Sequence, residues 1–192
     1  EIERLCSLVF GGGAGAERDD AQKQILQLQS STEHINTCKG IFENSTNAYA
    51  LVVAANSLEV LMTKFWNNLS AEQKLETRNY IFNFMANHTD AENYVIGALS
   101  KLLCRVTKLG WFDGTISGEL REIVTDAKSF LAMSTNHHLV ALKLLQSLVD
   151  EMNTPTTGKT LTYHRKTAVS FRDLALFPAF MTAIDTLKQI QS

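Results

Sequence analysis

Apolar residues recur at helical spacing along nearly the whole of this chain, and the helices they mark return at a nearly constant interval. From residue 91 onward they fall at Ala91, Tyr94, Val95, Ala98, Leu99, Leu102, Leu103, Val106 and Leu109, one face of a single helix. Leu120, Ile123, Val124, Ala127, Phe130 and Leu131 mark a second face, and Leu139, Leu142, Leu145, Leu148 and Val149 a third. The same reading gives helices over 1–10, 16–29, 32–44, 46–67, 71–88, 91–109, 117–133, 136–153 and 174–191, about nine in all, with no strand. Only 2 prolines occur, which suits long helices because an interior proline costs about 3 kcal/mol.

These helices pair across short links, and the second members start near residues 16, 46, 91 and 136. A spacing that settles at roughly 45 residues is the period of HEAT-type helical repeats. One such pair cannot bury its apolar face alone and must stack on its neighbours. The expected fold is therefore all-α, an α–α superhelix of about four and a half helix pairs forming one segment over 1–192. The last helix lacks a partner, and the sequence starts at Glu1, not Met, so a longer natural protein is expected.

Local signals fix the expected ends. Ser70 with Gln73 three residues on predicts a capping box, and Asp90 predicts an N-cap for the helix from 91. Gly110 is expected to adopt the left-handed conformation of a helix C-terminus, with Trp111 packing back near Val106. On this reading the cationic, aromatic corner at 101–114 is a plug and not a reaction centre. Pro178 is expected in the first turn of the last helix.

The formal charge of −2 argues against a dedicated nucleic-acid binder, which carries a basic excess. The three cysteines, Cys6, Cys38 and Cys104, are scattered among apolar residues like small core hydrophobes, a pattern of a reducing compartment. The longest apolar run, 48–55, is too short to cross a bilayer, so no membrane insertion is expected. Sequons at Asn44, Asn68 and Asn87 read as helix boundaries. GGGAG at 11–15 reads as a flexible link between helices. TGKT at 157–160 lacks the strand and the upstream glycine of a phosphate loop, since position 153 is Asn153. His137 and His138 are adjacent and point to different faces, and no metal-ligand spacing occurs. No catalytic constellation can be placed, Glu72 and Glu76 reading as solvated helix charges. No enzyme, cofactor or metal is predicted.

Two features point to a partner. The second helices carry narrow polar stripes: Asn56, Glu59 and Thr63, then Lys101, Arg105 and Lys108, then Lys143, Gln146 and Asp150. Each spans about 60° of its helix at 100° per residue, and stacked together they would line one continuous concave wall. The charges at Lys101 and Arg105 are expected to be reversible without loss of the fold. The segment 164–173, HRKTAVSFRD, reads as a loop that brings His164, Arg165, Lys166 and Arg172 to an acidic partner, or as one whose arginines cap helix ends or pair with Asp173.

RVTKLGWFD at 105–113, LETRNYIFNFMA at 75–86 and HRKTAVSFRD at 164–173 resemble the N-terminal part of the exportin 7 (Ran-binding protein 16) family, with exportin 4 a near relative. The resemblance covers most of the chain from about residue 46, while 11–13 depart from the pattern. It implies a nuclear transport receptor of the importin-β superfamily, built from HEAT repeats. It further implies that the second helices meet the GTPase Ran in its GTP form. Protein cargo and nucleoporins would contact other parts of the full receptor, which would shuttle between nucleus and cytoplasm. Glu59, Lys101, Arg105, Lys108 and Lys143 are the positions that match those second helices. The alternative is a HEAT scaffold subunit of a non-transport complex.

Overall fold

The computed structural model describes residues 1–12 and 15–191. Among them there are helices and turns and no strand. The elements are α1 (Ile2–Phe10), α2 (Gly15–Gln27), α3 (His34–Asn44), α4 (Ala48–Phe65), α5 (Ala71–Asn87), α6 (Asn93–Leu109), α7 (Ser117–Arg121), α8 (Ile123–Ser129), α9 (Thr135–Asn153), α10 (Leu161–Phe171) and α11 (Phe177–Gln191). Successive second helices α4, α6 and α9 begin 45 and 42 residues apart, as the repeat reading requires. They lie side by side with α6 between α4 and α9, and α11 continues the row beyond α9. The first helices pack behind them, α3 on α4, α5 on α6 and α8 on α9. This is the HEAT-like all-α solenoid expected from the periodicity.

One continuous core runs through the stack, from Leu5 and Cys6 to Phe171 and Ala179. The three thiols are free and buried, and burial pushes that of Cys38 up to about 12, so they behave as packing groups. Ser70 closes the predicted capping box, accepting from the Gln73 N–H at 3.1 Å while its own N–H donates to Gln73 Oε1 at 2.9 Å. Asn44 and Asn87 are the last residues of α3 and α5, and each amide donates to a carbonyl one turn back. The helices α4 (with its 3₁₀ extension to Asn68) and 161–191 are long and apolar enough to cross a membrane by length and composition, but α4 is a core helix here.

Several boundaries differ from the sequence reading. α6 starts at Asn93 with Glu92 at the N-cap, not at 91 behind Asp90. The helix expected over 117–133 breaks at Glu122 into α7 and α8. Of the GGGAG link, Gly13 and Ala14 lie outside the described residues. The largest change is at 161–173, which is helical: Thr160 caps α10 by accepting from the Tyr163 N–H at 3.1 Å. α10 then passes through a π-helical turn, Arg172–Leu176, directly into α11. Pro178 therefore sits inside a long helix, where the wider turn just upstream relieves the clash its ring would make with a carbonyl four residues back.

The corner at 110–113 is a plug, as expected, but of another geometry. Gly110 has φ −94°, not the left-handed value. Its need for glycine is space: a Cβ there would lie 2.1 Å from Leu120 Cδ1 and 3.1 Å from Trp66 Cζ2. Trp111 is fully buried. Its indole donates to Ser170 Oγ at 2.9 Å, and its ring meets Phe171 edge-on at 6.0 Å, so α10 is its partner.

Candidate partner-binding surface

The three stripes come together on adjacent second helices, but their charges are spent partly on each other. Glu59 on α4 faces α6, where Lys101 Nζ approaches it at 3.1 Å and Arg105 Nη2 at 3.4 Å. Arg105 reaches on to α9 and clasps Glu151 through two bonds, Nε to Oε1 at 2.6 Å and Nη2 to Oε2 at 3.2 Å. Its Nη1 touches Thr63 Oγ1 at 3.5 Å. One guanidinium thus ties three successive repeats. Burial works against its charge, but the hydrogen bond and the two carboxylates outweigh burial and hold its pKa above the ordinary arginine value.

Lys108 is the clearest departure from a surface stripe, because its side chain is 0% exposed. Its ammonium donates to the Glu151 carbonyl at 2.6 Å and also bonds the Thr154 carbonyl. It therefore caps the C-terminus of α9, where unsatisfied carbonyls and the helix dipole favour a cation. Burial pulls its pKa down and Glu151 partly offsets that. The Tyr163 hydroxyl in turn donates to the Lys108 carbonyl at 2.6 Å, closing the end of α6. A stripe read at helical spacing assigned Lys108 to solvent. The shift to burial follows because the last turn of α6 lies under the end of α9.

Of the five second-helix residues, Lys101 is 55% exposed and Lys143 is also exposed, bonding Gln146 at 3.5 Å. Glu59 is nearly buried, and the Arg105 side chain is 13% exposed. Charge reversal at Arg105 is therefore a change to the core and does not leave the fold untouched. His164, Arg165, Lys166 and Arg172 are not on a loop but on α10 and the π turn. Arg165 and Lys166 are exposed, with Lys166 Nζ 4.5 Å over the Phe112 ring, and Arg172 pairs with Asp173 at 2.8 Å. His164 is half-buried.

Residues outside the stripes read from the sequence complete the surface. Glu151 is the carboxylate on which Arg105 and Lys108 converge. Lys64 at the end of α4 and Lys159 in the loop 154–160 border the same region, around a cleft of about 550 Å³ that includes Glu59 and Arg105. Among the described residues no group of three or more His, Cys, Asp or Glu could hold a metal.

The comparisons with known proteins agree with this architecture. Residues 21–87 match the importin-β N-terminal domain. The chain is 36% identical over 191 residues to Ran-binding protein 17 of Mus musculus, covering 99% of this chain and 18% of the relative. It is 32% identical over 190 residues to Exportin-7-A of Xenopus laevis, covering 98% of this chain and 18% of that one. Exportin-1 of Schizosaccharomyces pombe is 27% identical over 147 residues, 73% of this chain and 14% of the relative. The chain thus spans less than a fifth of the length of these relatives. With helix pairs in HEAT-like order and this similarity along nearly its whole length, the chain belongs to the exportin group of the importin-β family.

Proposed function

We propose that this chain is the N-terminal HEAT-repeat segment of a nuclear transport receptor and that the row formed by α4, α6 and α9 receives Ran in its GTP form. The observation that supports this most is the row itself: Glu59, Lys101 and Lys143 lie on three adjacent second helices, in a chain similar to proteins named for Ran binding. On this reading the receptor carries protein cargo, meets nucleoporins through its other repeats, and shuttles between nucleus and cytoplasm. It acts by binding and catalyses nothing, and it neither binds nucleic acid nor inserts into a membrane.

The cations available to a partner are Lys101 and Lys143, whereas Arg105 and Lys108 hold the repeats together. Exposed interface charges mainly speed association and respond to salt. The test is a titration of the full-length receptor with Ran loaded with GTP or GDP, alongside Lys101→Glu combined with Lys143→Glu. Preference for the GTP form, weakened by the double reversal most strongly at low salt, supports the reading. Equal affinity for the two nucleotide states removes it.

A further inference from the structure

The charge ledger between α4, α6 and the loop 154–160 does not balance. Five cations, Lys64, Lys101, Arg105, Lys108 and Lys159, gather around two carboxylates, Glu59 and Glu151. Both carboxylates are nearly buried and already engaged by Lys101, Arg105 and Lys108. Among the described residues Lys64 and Lys159 form no ion pair; each ammonium lies over an aromatic ring, Phe65 at 4.9 Å and Tyr163 at 5.5 Å. A cation held over a ring keeps N–H donors free for an acceptor.

Those two lysines line the cleft of about 550 Å³, together with Arg105 and the apolar side chains Val60 and Trp66. Gly158, at φ +80°, turns the loop so that Thr157 and Lys159 flank the same opening. A bare anion has no use for the apolar wall, and a purely apolar ligand would leave the lysines unanswered. We infer that this cleft is a docking site for an acidic segment of a protein partner, which sets carboxylates against Lys64 and Lys159 and an apolar side chain against Val60 and Trp66. The site goes beyond the GTPase reading and stands on the cleft alone.

The probe is a fluorescently labelled peptide alternating Asp and Glu around a central Leu, titrated into this chain and followed by anisotropy. A second peptide replaces every acid by its amide. The acidic peptide is expected to bind about tenfold or more tightly than the amide peptide, with an advantage that shrinks as salt shortens the Debye length. Lys64→Glu combined with Lys159→Glu should abolish that preference. Lys23→Glu combined with Lys128→Glu, reversing two exposed lysines elsewhere, should retain it. Equal affinity for the two peptides, or equal loss in both double variants, overturns the assignment. So does binding of inorganic tripolyphosphate as tight as that of the peptide, which would make this an unspecialised anion site. No GTPase is present, so the result is independent of any nucleotide-state comparison.

Discussion

Arg105 is the residue whose removal tests the architecture most sharply. Its guanidinium, on α6, holds Glu59 of α4 and Glu151 of α9, and both carboxylates are almost entirely withdrawn from water. Arg105→Ala leaves them without their shared cation. Breaking a buried pair by deleting one partner costs about 3–5 kcal/mol, chiefly for the charge left behind. Two groups soften the loss: Lys101 stays 3.1 Å from Glu59, and Lys108 stays 3.7 Å from the Glu151 carboxylate. The lower end, about 3 kcal/mol, is therefore expected. Chemical denaturation followed by helical circular dichroism measures it, with stability read at low and high salt. A buried pair is weakly screened, so the cost should hardly change with salt. Arg105→Met combined with Glu151→Met should recover much of the loss, because apolar residues of similar size replace buried pairs at little cost. A cost below about 1 kcal/mol that vanishes in salt is the behaviour of an exposed pair, and it would refute the picture of one guanidinium spanning three repeats.

Three further outcomes follow from contacts elsewhere. Gly110→Ala should destabilise by about 1–3 kcal/mol through overpacking against Leu120, and Gly110→Ala combined with Leu120→Ala should be less unstable than the two separate costs imply; strict additivity in denaturation midpoints would disprove the clash. Trp111→Ala should cost roughly 3–5 kcal/mol through its cavity, while Trp111→Phe keeps most packing and forfeits about 1 kcal/mol with the Ser170 bond; unchanged stability in the alanine variant would make Trp111 a surface group. Asp113 is held below the usual carboxylate range: burial raises its pKa, but hydrogen bonds from Lys74 and Thr115 outweigh it. A depressed acid stabilises the fold above its unfolded pKa and loses that contribution as pH falls through the folded value. Asp113→Asn should therefore narrow the difference from the parent below pH ~3, and an equal difference at acid and neutral pH would exclude the linkage.

What the sequence made legible was whatever a single helix decides for itself. The apolar face of α6 and the Ser70 capping box are properties of one segment, and both are present, as is the roughly 45-residue recurrence; the face read for α9 is only partly buried, with Leu145 and Leu148 in the core and Leu139 55% exposed. α10 was hidden for a physical reason. Its buried positions and those of α11 are Thr167, Phe171, Ala175, Ala179, Thr182 and Thr186, a stripe at helical spacing in which only phenylalanine is large. Small side chains let a helix approach its neighbour closely without announcing an apolar face. The sole local sign was Thr160, placed to cap.

Charge was legible by face but not by fate. Glu59, Lys101 and Arg105 were placed on the proper helices, yet spacing along α6 gives no information about what the neighbouring helix brings opposite. Glu151 decides whether Arg105 meets a partner or the core, and it lies 46 positions away, on the next second helix. Lys108, one turn beyond Arg105, falls under the carbonyl end of α9 and is consumed there. The two cleft lysines that pair with no carboxylate among the described residues, Lys64 and Lys159, belong to no stripe, because one ends α4 and the other stands in a loop. In a stacked-repeat protein, the charges that hold repeats together and those that meet a partner share the same helical faces. They separate only when each cation is matched to the carboxylate across the inter-repeat boundary: by that criterion Arg105 and Lys108 belong to the stack, Lys101 shares Glu59 across the boundary while its side chain stays 55% exposed, and Lys143, Lys64 and Lys159 are left to a partner.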